Sequence, residues 1–191
     1  MQYKLYSTET PMQEAQISAF LGLIAQSFPE NERRSDEEML RLFENPRFRV
    51  LTAQSPDGQL FGVMMLWVLD AFVFVENFAV LPALRSQGLG SCMLQEVTRR
   101  FQLPQVLEVE PPEDTLCLRR IRFYERSGFH MNPYPYLLPC LQASTRYSAP
   151  LKLMSRPQPL TEEAADDVIR TLYTTVYAGK PVRPQPGPVM C

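Results

Sequence analysis

The chain has 191 residues, a length at which one domain is the default and two small ones are the alternative. Apolar residues make up 45% of it and charged residues 21%, which is typical of globular proteins and argues against wholesale disorder. The 19 Lys and Arg residues against 21 Asp and Glu give a formal charge of −2, so the strongly basic surface of a nucleic-acid-binding protein is not expected.

The first half of the chain predicts a strand, two helices and a meander of three strands. Polar and apolar side chains alternate over residues 2–6, which predicts a short strand. Pro11 then opens a helix that ends at Pro29. Ser35 and Asp36 are suited to cap a second, short helix after a polar loop. The three meander strands are predicted at residues 48–52, 60–69 and 72–80, with a turn signal at 55–58.

The second half switches to helical spacing and then becomes rich in proline. Apolar residues from Leu89 to Phe101 fall on one helix face, and a short strand is expected at 106–110. A further helix starts at Asp114 or Thr115 and ends at Gly128. Ten of the 18 prolines lie from residue 133 onward, so we expect loops there apart from two segments. These are a strand at 149–154 and a helix that begins at Thr161, followed by an extended tail at 180–191.

Neither a membrane span, a disulfide framework nor a metal site is expected. The longest apolar run, residues 59–78, is interrupted by polar residues and predicts buried strands. No basic region precedes an apolar stretch at the N-terminus, so we expect no signal peptide. The four cysteines form no CxxC pair and His130 is the single histidine, a pattern that favours a reduced, cytoplasmic protein without metal.

Residues 75–90 carry the first chemical signal, a strand followed by a glycine-containing turn that opens a helix. Glycines such as Gly88 and Gly90 let main-chain N–H groups approach an anion without a Cβ in the way. The N-terminus of a helix adds unpaired donors and the positive end of the helix dipole. Arg85 is placed to add a charge-assisted contact. The pattern therefore predicts a phosphate-binding turn, with a tight strand–helix turn of no further function as the alternative.

Two common phosphate-binding motifs do not fit this turn. A P-loop needs Gly-Lys-Ser/Thr, but Ser91 and Cys92 follow Gly90; a dinucleotide fingerprint needs a third glycine where Met93 stands. The remaining pattern, Arg-x-x-Gly-x-Gly, resembles the acyl-CoA diphosphate loop of the GCN5-related N-acetyltransferase (GNAT) superfamily.

A second motif strengthens the resemblance. The stretch Phe-Tyr-Glu-x-x-Gly-Phe at residues 123–129 is similar to the helix and following strand that complete the GNAT cofactor site, and it lies downstream of the first motif with a strand between them. The resemblance covers roughly residues 2–155, and Arg33-Arg34 after Phe28-Pro29 is similar to a bacterial branch of the superfamily.

The resemblance implies a fold and an activity. The fold is α/β: a mixed, mostly antiparallel central sheet flanked by helices in a GNAT domain at residues 1–155, with a Pro-rich linker, helix and tail appended at 156–191. The activity is transfer of an acetyl group from acetyl-CoA directly to the primary amine of a small molecule or peptide, in a ternary complex and without metal. The alternatives are a GNAT-like module that binds acyl-CoA as a sensor or interaction partner without turnover, and a phosphate-binding fold unrelated to CoA.

The resemblance also assigns roles at the cofactor side. The loop would hold the diphosphate through main-chain amides, and residues 78–80 would pair with the pantetheine arm while one N–H binds the thioester oxygen. The implied cofactor-binding residues are Phe78, Ala79, Val80, Arg85, Ser86, Gln87, Gly88, Leu89 and Gly90. Tyr124 matches the tyrosine that protonates the departing sulfur, a transfer that is plausible for a phenol and a nascent thiolate; a buried aromatic residue is the alternative.

The base that takes the amine proton has two candidates. Glu76 on the central strand matches an acidic position that acts through water in the family, and Glu110 on the neighbouring strand is the second choice. Glu108 shares a strand face with Glu110, and its alternative role is a solvated edge charge; for Glu110 the alternative is an ion pair with Arg119 or Arg120.

The chain departs from the family pattern at two positions and leaves the acceptor open. Cys117 and Arg120 stand where many members have asparagine and alanine, which removes an expected side-chain hydrogen bond to the pantetheine arm. The candidate acceptor-binding residues are Glu30, Arg33, Arg34 and Tyr134, with Glu32 beside them. Acidic residues favour a cationic amine and arginines a carboxylate-bearing one. A second copy of the chain, docked through the C-terminal helix, is the candidate protein partner, and no nucleic acid or membrane is expected.

Overall fold

The computed structural model describes residues 1–185. The chain divides into two compact units. The first unit comprises Met1–Glu30 and Arg34–Leu107, and the second comprises Asn31–Arg33 and Glu108–Cys191. The boundary predicted after residue 155 lies near the end of a strand inside the second unit, and the division into a domain and an appended segment stays a prediction. In the described part of the chain, no helix is both long and apolar enough to cross a membrane.

Five strands, in their sequence order, form the sheet of the first unit. The first three pairings are antiparallel and the last is parallel. These strands are β1 (Gln2–Tyr6), β2 (Phe48–Gln54), β3 (Leu60–Val68), β4 (Val73–Val80) and β5 (Gln105–Val109), of which the last two residues of β5 belong to the second unit. β3 and β4 are buried over most of their length, as their Val, Met, Leu and Phe content predicts.

Helices cover both faces of this sheet. They are α1 (Glu14–Ser27), α2 (Asp36–Leu42) and α3 (Leu89–Phe101). A Cβ built on Gly62 would lie 2.8 Å from Met93 Sδ, so this face of β3 packs against α3. Trp67 lies an odd number of residues further along β3 and faces the other side. There its ring meets Phe48, which contacts Phe43 at the end of α2.

The second unit contains two longer helices and three strands. The helices are α4 (Thr115–Arg126) and α5 (Glu162–Thr171), the latter continued by one π-helical turn (Leu172–Val176). The strands are β6 (His130–Met131), β7 (Tyr136–Leu138) and β8 (Ala149–Arg156); β6 and β7 both pair antiparallel with β8. With five antiparallel pairings and one parallel pairing among those described, the expected mixed and mostly antiparallel α/β fold with a C-terminal helix is confirmed.

The C-terminal segments are held by the second unit itself. The apolar face of α5 and its π-helical turn, formed by Ala165, Val168, Leu172 and Val176, is buried within the chain. A dimer through this helix, which stays a prediction, would therefore have to use its charged face. The predicted tail is extended through Gln185, and it is pinned by hydrogen bonds from Cys140 N to Pro181 O (2.9 Å) and from Ser148 N to Arg183 O (2.8 Å). Residues 186–191 of that tail lie outside the described residues.

Candidate functional site

Strand β4 changes its pairing on both sides near Glu76. On the β3 side the register moves from Met65↔Asn77 to Leu66↔Val75, so Glu76 is the extra residue of a β-bulge. On the β5 side the parallel pairing ends at Val75↔Leu107. From Glu76 onward, the described pairing of β4 is with β3.

Main-chain groups beyond the bulge alternate between the two edges of β4. Leu81 N donates to Phe61 O (2.9 Å), which fixes the direction of the odd-numbered amides toward β3. Phe78 and Val80 therefore direct their N–H and C=O groups away from β3. On that side Arg85 Nε donates to Val80 O (3.1 Å), which folds the following loop back along the strand edge.

The loop after β4 turns sharply and opens α3. A short 3-10 turn (Pro82–Leu84) precedes Arg85, and Gln87 Nε2 donates to Ala83 O (2.9 Å). Ser86 (φ 62°) and Gly88 (φ 82°) both adopt the left-handed conformation, which glycine accommodates without strain. The loop from Arg85 to Gly88 is exposed, whereas Leu89 at the start of the helix is buried.

Gly88 is the N-cap of α3 and makes no side-chain cap. Three other helices differ: Ser35, Asp114 and Thr161 each accept a hydrogen bond from a first-turn amide of α2, α4 and α5. The first-turn amides of a helix have no carbonyl partner inside the helix, and the helix dipole concentrates positive charge there. The N-terminus of α3 consequently offers main-chain donors to an anion arriving at an exposed loop. The nine residues predicted to bind the cofactor form this continuous strand edge, loop and helix start.

Glu76 and Arg34, predicted for separate roles, form one buried ion pair. Arg34 Nε lies 2.6 Å from Glu76 Oε1, and Trp67 Nε1 donates to Glu76 Oε2 (2.7 Å). The Arg34 guanidinium lies over the Trp67 ring, 6.0 Å from its centroid. The side chains of Arg34 and Glu76 are 6% and 3% exposed. The Arg34 side chain turns inward from its loop and supplies the buried counter-charge that the Glu76 carboxylate needs, and its role in binding the acceptor stays a prediction.

Tyr124, the predicted general acid, lies on the buried face of α4. Its ring packs edge-on against Phe129 (5.7 Å between centroids) and tilts against Phe123 (5.1 Å). Burial raises the pKa of Tyr124 to about 12; the Arg120 guanidinium acts against this shift and the Glu110 carboxylate adds to it. The phenol therefore carries its proton at neutral pH.

Glu110, the second predicted base, forms an ion pair with Arg120 of α4 and keeps one third of its side chain exposed. Glu32 lies within electrostatic reach of both. Burial raises the pKa of Glu32, with the Glu110 carboxylate adding to the shift and the Arg120 guanidinium opposing it. Glu110, Arg120, Glu32 and Tyr124 thus form one group of interacting titratable side chains in the second unit.

Glu108 is not a solvated charge at the edge of the sheet, which was the alternative role considered from the sequence. Its two oxygens accept hydrogen bonds from the hydroxyls of Tyr136 and Tyr177, the latter at 3.0 Å. Both tyrosines are buried. Sequence reasoning missed this cluster because Tyr177 lies 69 residues from Glu108 along the chain.

The remaining acceptor candidates occupy different surroundings. Glu30 is exposed at the start of a 3-10 turn (Glu30–Glu32). The Arg33 carbonyl accepts a hydrogen bond from Gln142 Nε2 (2.8 Å), and the Tyr134 hydroxyl donates to Leu160 O (3.3 Å). This hydrogen bond holds the loop before α5 against the connection between β6 and β7. The roles of Glu30 and Arg33 in binding the acceptor stay predictions.

The known proteins that resemble this chain are acetyltransferases. Residues 46–131, which span β4, the glycine loop and Tyr124, match the acetyltransferase (GNAT) domain model. The inferred acetyltransferase YjbC of Bacillus subtilis (strain 168) is 27% identical over 160 residues, covering 82% of this chain and 80% of that protein. An inferred acetyltransferase of the GNAT family from Bacteroides thetaiotaomicron has a solved structure with a TM-score of 0.82 and 29% identity, covering 94% of this chain and all of that one.

The fold is also that of an aminoglycoside 6'-N-acetyltransferase solved in complex with coenzyme A, at a TM-score of 0.61 and 15% identity over 84% of this chain and all of that one. Residues 46–131 form an acetyltransferase domain of the GCN5-related N-acetyltransferase (GNAT) superfamily, and the protein is an acyltransferase.

Proposed function

We propose that the chain transfers an acetyl group from acetyl-CoA directly to the primary amine of a small-molecule or peptide acceptor. The observation that carries the proposal is the glycine N-cap of α3 in the exposed loop after β4, a strand whose described parallel pairing ends at Val75. A diphosphate needs main-chain donors and positive potential, and a pantetheine arm needs a strand edge with which to pair.

Residues 85–90 form the site that we assign to the diphosphate, called here the diphosphate grip. Ser86 and Gly88 adopt the left-handed conformation in an exposed loop, the kind of turn in which main-chain N–H groups bind anions. The α3 dipole adds to their pull on a phosphate, and no side chain at the cap competes for these donors. Arg85 is fixed to Val80 O by its Nε, which leaves its outer guanidinium nitrogens for the anion.

The edge of β4 is suited to the acyl end of the co-substrate. Phe78 and Val80 present their main-chain groups away from β3, in the direction where β5 no longer pairs. The Phe78 N–H is the first regular donor after the bulge, and we assign it to the thioester oxygen. A donor at this point stabilises the negative charge that develops on the oxygen when the amine adds to the carbonyl carbon.

Two proton transfers complete the reaction. As the C–N bond forms and the C–S bond breaks, Tyr124, which burial keeps protonated at neutral pH, gives its proton to the departing sulfur. The amine proton leaves by way of water to a carboxylate. We assign that role to Glu110, which is partly exposed and lies in the same group of side chains as Tyr124, in preference to Glu76, whose two oxygens are both engaged.

The test measures binding and turnover separately on the full chain. Acetyl-CoA at 100 times its dissociation constant should stabilise the protein by about 2.7 kcal/mol in thermal unfolding, and one of a panel of primary amines, amino acids and peptides should release free thiol. Tyr124→Phe should lower the turnover by about 100-fold while acetyl-CoA affinity stays nearly the same.

Each outcome has a distinct meaning. Absence of stabilisation by acetyl-CoA would show that the loop binds something else. Binding without thiol release from any amine would favour a non-catalytic acyl-CoA-binding module. Turnover that survives Tyr124→Phe would remove the tyrosine from the acid role and leave the rest of the proposal standing.

A further inference from the structure

The outward face of α4, called here the arginine face, carries Arg119, Arg122 and Arg126. These residues follow each other at helical spacing and all three are exposed. The buried side of the helix, with Ile121 and Tyr124, lies opposite. No hydrogen bond or ion pair joins any of the three arginines to another residue in the described part of the chain.

Several exposed arginines elsewhere in the chain do have a carboxylate partner. The pairs are Arg41–Glu37, Arg47–Asp70, Arg99–Glu96 and Arg170–Asp167. On the outward side of α4 the one acidic residue is Glu125, which stands beside three arginines. The arginine face therefore keeps an excess of positive charge.

Two exposed leucines lie in the first turn of the same helix. Leu116 is 63% exposed and Leu118 is 38% exposed. Leu118 lies four residues before Arg122 and so beside it on the outward side of α4. Exposed ion pairs alone contribute little to affinity, whereas covering apolar area adds to it. The helix therefore offers both charge and apolar area to a docking surface.

The complementary charge lies on the outward face of α5, called here the acidic face. Glu162, Glu163 and Asp166 are exposed, and among residues 1–185 none of them has a hydrogen bond or ion pair through its side chain. Asp167 beside them pairs with Arg170. The apolar side of α5 is buried within the chain, so the acidic face is directed outward.

The two faces belong to the same compact unit, and no ion pair between described residues joins them. Their charges are therefore left for another molecule. A second copy of the chain supplies both complementary faces at once. In a two-fold dimer every contact occurs twice, so α4 of each copy meets α5 of the other.

We propose that the chain forms a two-fold dimer in which the arginine face of each copy docks on the acidic face of the other, with Leu118 covered at the contact. The inference does not rest on the proposed function, because neither face includes a residue assigned to acetyl-CoA or to the acceptor.

Sedimentation equilibrium of the full chain over a wide concentration range tests the dimer. The unmodified protein should pass from monomer to dimer mass as its concentration rises, and added salt should weaken the dimer because these charges are exposed. Arg119→Glu with Arg122→Glu reverses the arginine face, and Glu163→Lys with Asp166→Lys reverses the acidic face. Each double variant should weaken the dimer by about 10-fold or more, since like charges then meet across the contact.

A mixture of the two double variants is the decisive sample. In the mixed dimer one contact joins the two reversed faces and the other joins the two unmodified faces, so both contacts are attractive. The mixture should therefore dimerise at concentrations where neither variant does so alone. Arg41→Glu and Glu37→Lys reverse exposed charges of α2, and as matched controls they should leave the dimer unchanged.

Three results would overturn the inference. They are a monomer mass for the unmodified protein at every concentration, a dimer that both reversed variants keep, and a mixture that stays monomeric. Thermal unfolding followed by circular dichroism checks that each variant is folded. If a reversed variant is not, Arg122→Gln and Asp166→Asn take its place; each should weaken the dimer, and an unchanged dissociation constant would count against the docking.

Discussion

Gly88 and Gly58 are a matched pair of residues that separates backbone strain from ligand binding. Both have positive φ (82° and 93°), and a Cβ at either would meet no atom within 4 Å. Alanine at either position should cost about 1–2 kcal/mol in chemical denaturation, because an L-residue is strained there. Only Gly88→Ala should also weaken acetyl-CoA binding in calorimetry, since the strained turn moves the amides of the diphosphate grip. Equal acetyl-CoA affinity in the two variants would contradict the assignment of the loop.

At the residue scale, the sequence was sufficient to predict local motifs but not which side chains pair with each other. The turn at Gly88 and the burial of Tyr124 follow from short patterns whose chemistry is local. The pairing of Arg34 with Glu76 joins residues 42 positions apart, and nothing in either local pattern chooses that partner. The sequence therefore offered two functional candidates where the fold makes one buried ion pair.

Two further glycines test how single elements depend on a missing side chain. Gly22 lies exposed inside α1, where a Cβ would meet nothing, so Gly22→Ala should stabilise the protein by about 0.5–1 kcal/mol. At Gly62 in β3 a Cβ would lie 2.8 Å from Met93 Sδ and 3.1 Å from Ala79 O. The thioether is able to move but the β4 carbonyl is not, so Gly62→Ala should destabilise by about 1–3 kcal/mol. Midpoints of chemical denaturation measure both changes, and shifts of the same sign would contradict this packing.

Elements with many periodic residues were predictable, and those set by pairing were not. The helical spacing of α3 and the apolar run of β3 decide their structure locally. β6 and β7 have two and three residues, stand among prolines, and exist because β8 supplies hydrogen-bond partners. The bulge at Glu76 likewise arises from the register with β3, which no pattern within β4 reveals.

For the molecule as a whole, stability in acid should depend on Glu96. Hydrogen bonds from Arg99, and next from Arg100, lower the pKa of Glu96 to about 2 from 4.5, against a burial effect that raises it. Because this pKa is lower in the folded chain, the carboxylate stabilises the fold above pH 4.5 and loses that contribution as the pH falls toward 2. Since Arg99 is largely exposed and screened by water, we expect the Glu96 carboxylate to contribute about 1 kcal/mol to the free energy of unfolding.

Thermal unfolding at neutral pH and near pH 3 checks this expectation. Glu96→Gln should be less stable than the unmodified protein at neutral pH and should lose less of its stability in acid. Glu37→Gln, which removes an exposed partner of Arg41, serves as the control and should follow the unmodified protein. Identical acid sensitivity of the Glu96 variant and the unmodified protein would show that other carboxylates dominate.

The chain has one tryptophan, and it is the residue whose indole N–H binds Glu76. Its fluorescence therefore arises from a single, water-excluded place beside the β4 bulge, with a guanidinium over the ring and a carboxylate at its edge. Charges that close to an indole govern the colour and yield of its emission. The unlabelled protein thus carries its own optical probe, and we expect acetyl-CoA bound at the neighbouring strand edge to change this emission without a dye or an identified acceptor.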